Sequence, residues 1–306
     1  MLLKNSKRYF GSSETIREVT LTTRISKDDL DWFIGFAEGD GCLHTNGKRL
    51  WFILTQKEAR ILYQVRTMLG FGTINKTALG YFRYEVSNQA GLFQLITIFN
   101  RRLRTQKKAQ DFVSWLSAWN QNANSVFKLS GDSETPGNRD VFDSTEKLKS
   151  NTKSSSESEP EFSSESTAVD TENAWISGFL DAEGGFSISI WASPEGRIRI
   201  RPRMFCDQKT DHFVLSRIAT AFDAGRVRFF SRKQQPTQYR WMMDTWCHIP
   251  KIMKYFRRYP LRTKKHVVYC RWIKIYRMYE RKEHLTPEGA QRIRVLSLKL
   301  NSFRNF

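Results

Sequence analysis

Two acidic residues, Asp40 and Glu183, each lie near the end of a short apolar stretch, and the two stretches resemble each other. The first reads FIGFAEGDG over residues 33–41, and the second reads ISGFLDAEG over residues 176–184. Carboxylate oxygens are ligands that Mg²⁺ prefers in proteins. If the two stretches lie side by side, their terminal acids meet, and two adjacent carboxylates form a divalent-metal site.

Small residues recur in both stretches at the spacing of one helix face. Gly35 and Gly39 are four positions apart, as are Gly178 and Ala182, and positions i and i+4 of a helix share a face. A glycine inside a helix costs about 1 kcal/mol relative to alanine, so its repeated use favours close approach to a partner. The pattern predicts that two helices pack through these strips, which would bring the two acids together at one end.

A strong excess of basic residues indicates a polyanionic partner. The 306 residues carry a formal net charge of +19, with a pI near 9.9. Nine Trp, ten Tyr and 22 Phe argue against a disordered basic tail, so nucleic acid is the leading partner and an anionic membrane surface the alternative. No apolar run approaches the roughly 18 residues of a membrane-spanning helix. The four cysteines are far apart and form no CxxC pair, which predicts neither a zinc site nor a disulfide framework.

The first half of the chain is predicted to consist of a helix, two β-ribbons separated by a helix, and further helices. Ser26, or one of the acids that follow it, would cap the first helix. Asn46-Gly47 between strand-like runs is a strong hairpin signal, and Gly70 would end the second helix. The predicted elements after the first helix are a hairpin at 42–56, a helix at 58–69, a ribbon at 71–87 and helices at about 91–103 and 107–119. The order is αββαββα plus a final helix.

Residues 121–172 differ in composition from the rest of the chain. Ser, Thr, Asn and Glu dominate there, and acids outnumber bases. Such a segment cannot bury enough apolar surface to offset its ordering entropy, which predicts a flexible linker between halves at 26–120 and 173–306. Residues 1–25 form a basic, Ser- and Thr-rich extension whose composition suggests a mitochondrial or chloroplast transit peptide. An arm lying on DNA and a remnant of an upstream reading frame are the alternatives.

The second half repeats the order of the first and contains a basic strand. Successive side chains of a strand point to opposite faces, so arginines that alternate with apolar residues form one charged row. This row comprises Arg197, Arg199, Arg201 and Arg203. Gln56 and Gln208 follow the first ribbon of each half, and LRTQKK at 103–108 matches LRTKK at 261–265 at the start of a helix. A final segment capped by Thr286 has no counterpart in the first half.

The two apolar stretches that end at Asp40 and Glu183 resemble the signature motifs of single-chain LAGLIDADG homing endonucleases. One copy would be weak evidence, but a second copy followed by the same order of elements is specific. The resemblance implies an α+β fold in which two pseudo-symmetric αββαββα subdomains pack through their motif helices. It also implies that the antiparallel ribbons form a β saddle for double-stranded DNA.

The resemblance assigns chemical roles to particular residues. In the family the last acid of each motif binds the catalytic metal, which here implies Asp40 and Glu183, with two or more Mg²⁺ ions at the helix interface. Glu38 and Asp181 carry no such role in the family. A glutamine and a lysine of each half would surround the metals and polarise phosphate or order water. By position these are Gln56, Gln208, one of Lys107 and Lys108, and one of Lys264 and Lys265.

Recognition of DNA would come from basic side chains on the ribbons. Arginine can bind guanine with two hydrogen bonds, although several of these side chains would contact only phosphate. The candidates are Lys48, Arg49, Arg83, Arg197, Arg199, Arg201, Arg203, Arg226, Arg228, Arg232, Lys233 and Arg240.

The leading hypothesis is a monomeric, site-specific endonuclease that makes a staggered double-strand cut with 3′ overhangs and promotes intron homing. Proteins similar to this one also include RNA maturases, which bind intron RNA and assist splicing without cutting. A DNA-binding protein that no longer cleaves is the third hypothesis. Because members of the family are usually encoded in organellar introns, the implied location is the mitochondrion or the chloroplast.

Overall fold

The computed structural model describes residues 25–47, 49–122, 168–194, 198–232 and 235–302. Several predictions concern residues outside these ranges: the N-terminal extension up to residue 24 and most of the linker. Among the DNA-binding candidates, Lys48, Arg197 and Lys233 also lie outside the described residues.

Two central helices form the middle of the molecule. The helix α1 (Lys27–Asp40) begins at Ser26, whose hydroxyl accepts a hydrogen bond from the Asp29 amide at 3.1 Å, as predicted. Its partner α5 (Trp175–Glu183) carries the second motif. The second half of α1 and most of α5 are buried, because each helix packs between the other helix and the core of its own half.

Each half folds into a four-stranded antiparallel sheet, which confirms the predicted ribbons. The strands of the first sheet lie in the order β1-β2-β4-β3, and those of the second in the order β5-β6-β8-β7. The strands are β1 (Gly41–Asn46), β2 (Arg49–Gln56), β3 (Thr73–Lys76), β4 (Phe82–Val86), β5 (Gly184–Ala192), β6 (Ile198–Gln208), β7 (Arg226–Arg232) and β8 (Gln235–Met243). Because β1 and β5 begin directly after the motif helices, the first strand of each sheet starts beside a terminal acid.

Helices cover one face of each sheet. Those of the first half are α2 (Ala59–Leu69), α3 (Gln89–Phe99) and α4 (Gln106–Asn122), and those of the second are α6 (His212–Phe222), α7 (Ile249–Arg258), α8 (Lys265–Glu280) and α9 (Pro287–Leu298). Gly70 ends α2 in the left-handed conformation, with φ of 80°. The Thr286 hydroxyl caps α9, which packs on α8 through the buried Ile293. The predicted order αββαββα is therefore present in both halves.

The alternation of the strands explains why each sheet has an apolar and a charged face. On β6, Ile200 and Met204 are buried in the core, whereas Arg199 and Arg201 are exposed. The same alternation on β2 buries Phe52 among the aromatic side chains of the first half. The charged faces of both sheets are thus left uncovered by the helices. No helix in the described part of the chain is long and apolar enough to cross a membrane.

Candidate active site

The small residues of the two motif helices allow their backbones to touch. A Cβ atom at Gly35 would lie 2.1 Å from the carbonyl oxygen of Trp175, and one at Gly178 would lie 1.9 Å from that of Trp32. Both distances are far below van der Waals contact, so only glycine fits at these two positions. The predicted packing of the motif helices through their small residues is confirmed.

The same packing brings the two terminal acids together. A Cβ at Gly39 would lie 2.3 Å from the Cβ of Ala182 and 3.1 Å from the Cγ of Glu183. Burial, together with the nearby charge of Asp40, raises the pKa of Glu183 to about 7. Burial also raises the pKa of Asp40 above its ordinary value. The charge of Asp40 thus disfavours ionisation of Glu183, and a cation bound beside both carboxylates would offset this repulsion.

A glutamine at the end of a strand contacts each acid. Gln56, the last residue of β2, donates a hydrogen bond from Nε2 to Oδ2 of Asp40 at 2.6 Å. Gln208, the last residue of β6, lies beside Glu183, where its amide opposes the rise of the Glu183 pKa. The sheet therefore positions both amides, since each first ribbon runs back towards the helix that precedes it.

One lysine of each predicted pair points towards the acids and the other points away. Lys108 donates from Nζ to the carbonyl oxygen of Gly41, whereas Lys107 pairs with Asp111 on the surface of α4 at 3.1 Å. Burial lowers the pKa of Lys108. In the first half, the structure thus resolves a choice that the sequence left open.

The second half makes the same choice. Lys265 donates from Nζ to the carbonyl oxygen of Ala182 at 2.6 Å. Burial lowers the pKa of Lys265, and the negative charges of the nearby carboxylates act in the opposite direction. Lys264 pairs with Glu58 and is half-exposed. The inward lysines are therefore Lys108 and Lys265.

The donor set suits a hard divalent cation. In the described part of the chain, no group of three or more His, Cys, Asp and Glu side chains could hold a metal ion. Asp40 and Glu183 are the carboxylates that could hold such a cation at the helix interface, and water and phosphate oxygens would complete the coordination. Mg²⁺ fits such a set, because it binds oxygen and keeps several of its waters.

Replacement of Glu183 by glutamine is expected to stabilise the protein when no metal is present. The folded-state pKa of about 7 exceeds the ordinary value of 4.5, so ionisation of Glu183 weakens the fold. This cost begins above the lower of these values and is complete above the higher. We expect Glu183→Gln to raise the free energy of unfolding by about 1 to 3 kcal/mol near pH 8, and by less near pH 5.

Urea unfolding in EDTA at the two pH values measures this effect. Glu288→Gln, which removes an exposed acid on α9, is the matched control and should show no such gain. A Glu183→Gln protein that is less stable than the natural one at both pH values would contradict the account of repulsion.

Some of the side chains predicted to contact DNA are exposed, and others already contact other groups of the protein. The exposed ones are Arg49, Arg83, Arg199, Arg201, Arg226 and Arg228. Arg201 lies 3.9 Å from Asp244 and 5.3 Å from the centre of the Trp191 ring. Arg203 is half-buried, and Arg232 ends β7. Their contacts with DNA stay predictions.

Arg240 is the most strongly engaged of these arginines. It forms two hydrogen bonds to Asp207, at 2.5 and 2.6 Å, and its guanidinium lies over the rings of Phe205 and Phe230. A side chain held in this way has fewer donors left for a base than Arg199 has. Sequence alternation alone did not identify Asp207 as its partner.

Four buried side chains at this interface form contacts that the sequence did not predict. Trp32 donates from Nε1 to Asp181 at 2.9 Å, and Trp175 donates from Nε1 to Glu38 at 2.7 Å. Each contact joins one half to the other. The matching positions of the tryptophans and of these acids in the two motifs were the available signal, since each pair stands at the same place relative to the terminal acid.

Comparison with known proteins extends these observations. A sequence profile described as LAGLIDADG endonuclease matches residues 33–119 and 176–276. "Probable intron-encoded endonuclease 4" of Neurospora crassa is 30% identical over 264 residues, which are 84% of this chain and 42% of that protein. The "Uncharacterized cox1 intron-2 37.2 kDa protein" of Schizosaccharomyces pombe is 25% identical over 298 residues, 93% of this chain and 80% of that protein. The chain thus spans less than half the length of the Neurospora relative.

Solved structures share the fold. The I-LtrWI LAGLIDADG homing endonuclease bound to target DNA superposes with a TM-score of 0.62 and 21% identity, covering 90% of this chain and 99% of that one. I-SmaMI bound to an uncleaved DNA target in the presence of calcium ions gives 0.62 and 19%, again with coverage of 90% and 99%. At such identities the likeness establishes the architecture.

Proposed function

The chain belongs to the LAGLIDADG endonuclease family, and from this membership we propose that it is a site-specific homing endonuclease that cuts both strands of double-stranded DNA with Mg²⁺. One observation carries the proposal. Asp40 and Glu183 meet at the helix interface, and a glutamine and a half-buried lysine lie beside each of them.

The uncovered faces of the two sheets support DNA as the substrate. They carry an excess of arginines, and the first strand of each sheet starts beside a terminal acid, so a duplex lying across them would pass over the paired carboxylates. Two solved relatives are described as bound to DNA targets. A surface of this size would cover on the order of two helical turns of about 10 bp each. Because the basic residues of the two sheets differ, the target should be asymmetric.

Each half of the protein would supply one acid and one glutamine for cleavage of one DNA strand. Bound Mg²⁺ would neutralise the phosphate, activate water and stabilise the leaving oxygen. Asp40 and Glu183 would hold it, with one acid near each scissile phosphate. Gln56 and Gln208 would orient water through their amides, and the pseudo-two-fold arrangement would produce a staggered cut with 3′ overhangs.

The inward lysines would act on the phosphate or on the attacking water. Burial lowers the pKa of Lys108 and that of Lys265, so a larger fraction of each is neutral, and able to accept a proton from water, than of a solvated lysine. As ammonium groups they would also stabilise charge that develops on the phosphate.

Cleavage of a DNA library in Mg²⁺ tests the proposal. The library should contain host-derived sequences that lack the intron together with randomised duplexes, and sequencing of the ends gives the site and the overhang. Site-specific double-strand cuts with 3′ overhangs are expected. Binding of the well-folded protein without cuts, across all sequences, would favour a DNA-binding protein that no longer cleaves.

Lys265→Met is expected to slow cleavage by about 10- to 100-fold, because it removes a half-buried cation that interacts with both acids. Lys264→Met is the matched control: it removes the neighbouring lysine, which pairs with Glu58 on the surface, and should leave the rate within about twofold. Single-turnover rates on the identified target measure both. Equal losses in the two variants would contradict the assignment of the inward lysine.

A second candidate function, RNA binding, is favoured by an asymmetry of charge between the halves. The helix α3 contains no charged residue, whereas α7, at the same place in the second half, contains four bases and no acid. Arg257 of α7 and Arg277 of α8 are both exposed, and both are close enough to Tyr269 for their charges to lower its pKa. This extra charge is unnecessary for a duplex bound on the sheets, and it suits the intron RNA of a maturase.

Binding of the host intron RNA by the natural protein and by Arg257→Ala/Arg277→Ala separates the two functions. Weaker RNA binding with unchanged DNA cleavage would support the second function. No binding of the RNA above that of an unrelated transcript would exclude it.

The chain carries both halves of the site, so a monomer is sufficient for activity, and sedimentation on DNA would test this stoichiometry. The name of the Schizosaccharomyces relative refers to a cox1 intron. That relationship favours the mitochondrion over the chloroplast as the location of this protein.

A further inference from the structure

We propose that Trp32 and Trp175 are positioning residues that act crosswise, each holding in place the lysine-bearing segment of the opposite half. Because the consequence concerns cutting of two DNA strands, the inference rests on the proposed function. It assigns to the helix interface a task beyond packing, namely the coupling of the two cutting centres.

The contacts around Asp181 show the arrangement in the second half. This buried carboxylate accepts hydrogen bonds from the amides of Arg262 and Thr263 at 2.7 and 3.1 Å, and from the Thr263 hydroxyl at 2.5 Å. All these donors belong to the segment that leads into Lys265. The remaining donor comes from the first half, because Trp32 Nε1 lies 2.9 Å from the same carboxylate.

The contacts around Glu38 repeat this arrangement with the halves exchanged. The Glu38 carboxylate accepts from the amides of Arg104 and Thr105 at 2.9 and 2.7 Å, in the segment that leads into Lys108. Its donor from the second half is Trp175 Nε1 at 2.7 Å. Each carboxylate therefore ties the lysine-bearing segment of its own half to a tryptophan of the other.

The tryptophan rings also contact the same segments. The guanidinium of Arg262 lies 4.7 Å from the centre of the Trp32 ring, and that of Arg104 lies 5.0 Å from the centre of the Trp175 ring. A cation over an aromatic face is attracted to it, and more strongly when both groups are withdrawn from water. Each tryptophan thus holds the opposite segment at two points, through its acid and through its arginine.

The path from tryptophan to lysine is short. In the second half, the Thr263 hydroxyl accepts from the amide of Lys265 at 3.2 Å, at the start of α8. The Lys265 ammonium then reaches the carbonyl oxygen of Ala182 at 2.6 Å, next to Glu183. A shift of Asp181 would therefore move the ammonium relative to the metal-binding acid.

Strand-resolved cleavage tests the inference with two variants and two controls. Trp32→Phe and Trp175→Phe remove the indole N–H and keep an aromatic ring. The controls Trp115→Phe and Trp272→Phe also remove a buried indole donor, but these donors bind backbone carbonyls of β1 and β5 instead of the acids. The duplex carries a different label at the end of each strand, and the ratio of the two single-turnover rates is measured.

Trp32→Phe is expected to slow the strand that Lys265→Met slows, by about tenfold relative to the other strand. Trp175→Phe should slow the opposite strand, the one affected by Lys108→Met. The controls should change the ratio by less than about twofold, even where they lower stability. Equal slowing of both strands, or a bias towards the same strand in both variants, would overturn the inference.

Amide hydrogen exchange provides a readout that does not require cleavage. Trp32→Phe should accelerate exchange about tenfold in the peptide covering 260–264 and leave 102–106 unchanged, and Trp175→Phe should do the reverse. If the natural protein cuts no DNA, the proposed function fails while this exchange pattern still tests the crossed contacts. Unchanged exchange in both peptides would overturn the inference even in an active nuclease.

Discussion

Asp40→Asn and Glu183→Gln are each expected to abolish double-strand cleavage, by about a thousandfold or more, while binding to the target persists. Each change keeps the shape of the side chain and removes the charge that would hold Mg²⁺. Because the two carboxylates share one buried site, loss of either affects the electrostatics of both. Single-turnover cleavage in Mg²⁺ and equilibrium binding to the same duplex in Ca²⁺ measure the two properties.

Asp28→Asn is the matched control, since Asp28 lies on the same helix as Asp40 and is exposed at its other end. It should cleave at the natural rate. Thermal unfolding adds a test of the metal: a divalent cation that binds the folded protein raises its melting temperature, and the rise should be smaller in either acid variant. An acid variant that cuts at more than about a tenth of the natural rate would contradict the assignment.

Gly178→Ala is expected to prevent stable folding, with a loss of about 4 kcal/mol or more. The added methyl group would lie 1.9 Å from the carbonyl oxygen of Trp32 and 2.8 Å from the amide nitrogen of Phe36. These are backbone atoms of a packed helix, so no change of rotamer can relieve the clash. Separation of α1 from α5 would also pull the terminal acids apart. Urea unfolding followed by circular dichroism measures the loss.

Gly91→Ala is the matched control for this helix glycine. Its methyl group would meet side-chain atoms of Val86, Asn88 and Phe71, at 2.7 to 3.0 Å, and such atoms can move. Its cost should therefore be clearly smaller than that of Gly178→Ala. Similar losses in the two variants, or a Gly178→Ala protein of nearly natural stability, would show that the helices can separate without penalty.

Much of the fold could be predicted because its signals are local. Alternation of arginine and apolar residues predicts the two faces of β6, and the Asn46-Gly47 pair predicts the turn of the first hairpin, where Gly47 has φ of 59°. Repetition of the motif predicts two similar halves, and the small residues predict their close packing. In each case, the feature depends on the backbone geometry of one helix, strand or turn. Residues that are close together in the sequence determine that geometry.

Contacts between distant residues could not be predicted in this way. The choice of Lys108 and Lys265 over their neighbours depends on how α4 and α8 are rotated against the sheets. The engagement of Arg240 depends on the register that sets it opposite Asp207. Even the acids that precede the terminal ones, Glu38 and Asp181, acquire their role only from donors that lie far away in the sequence.

From its amino-acid sequence alone, this chain discloses its family, its two halves and the acids that would bind metal, because these depend on residue types and local periodicity. Its three-dimensional packing selects which lysine reaches each acid and which tryptophan crosses to the other half. Those contacts depend on burial and on hydrogen bonds between residues far apart in sequence. The rotation of a helix against its neighbours determines which of two adjacent side chains is buried and which is exposed.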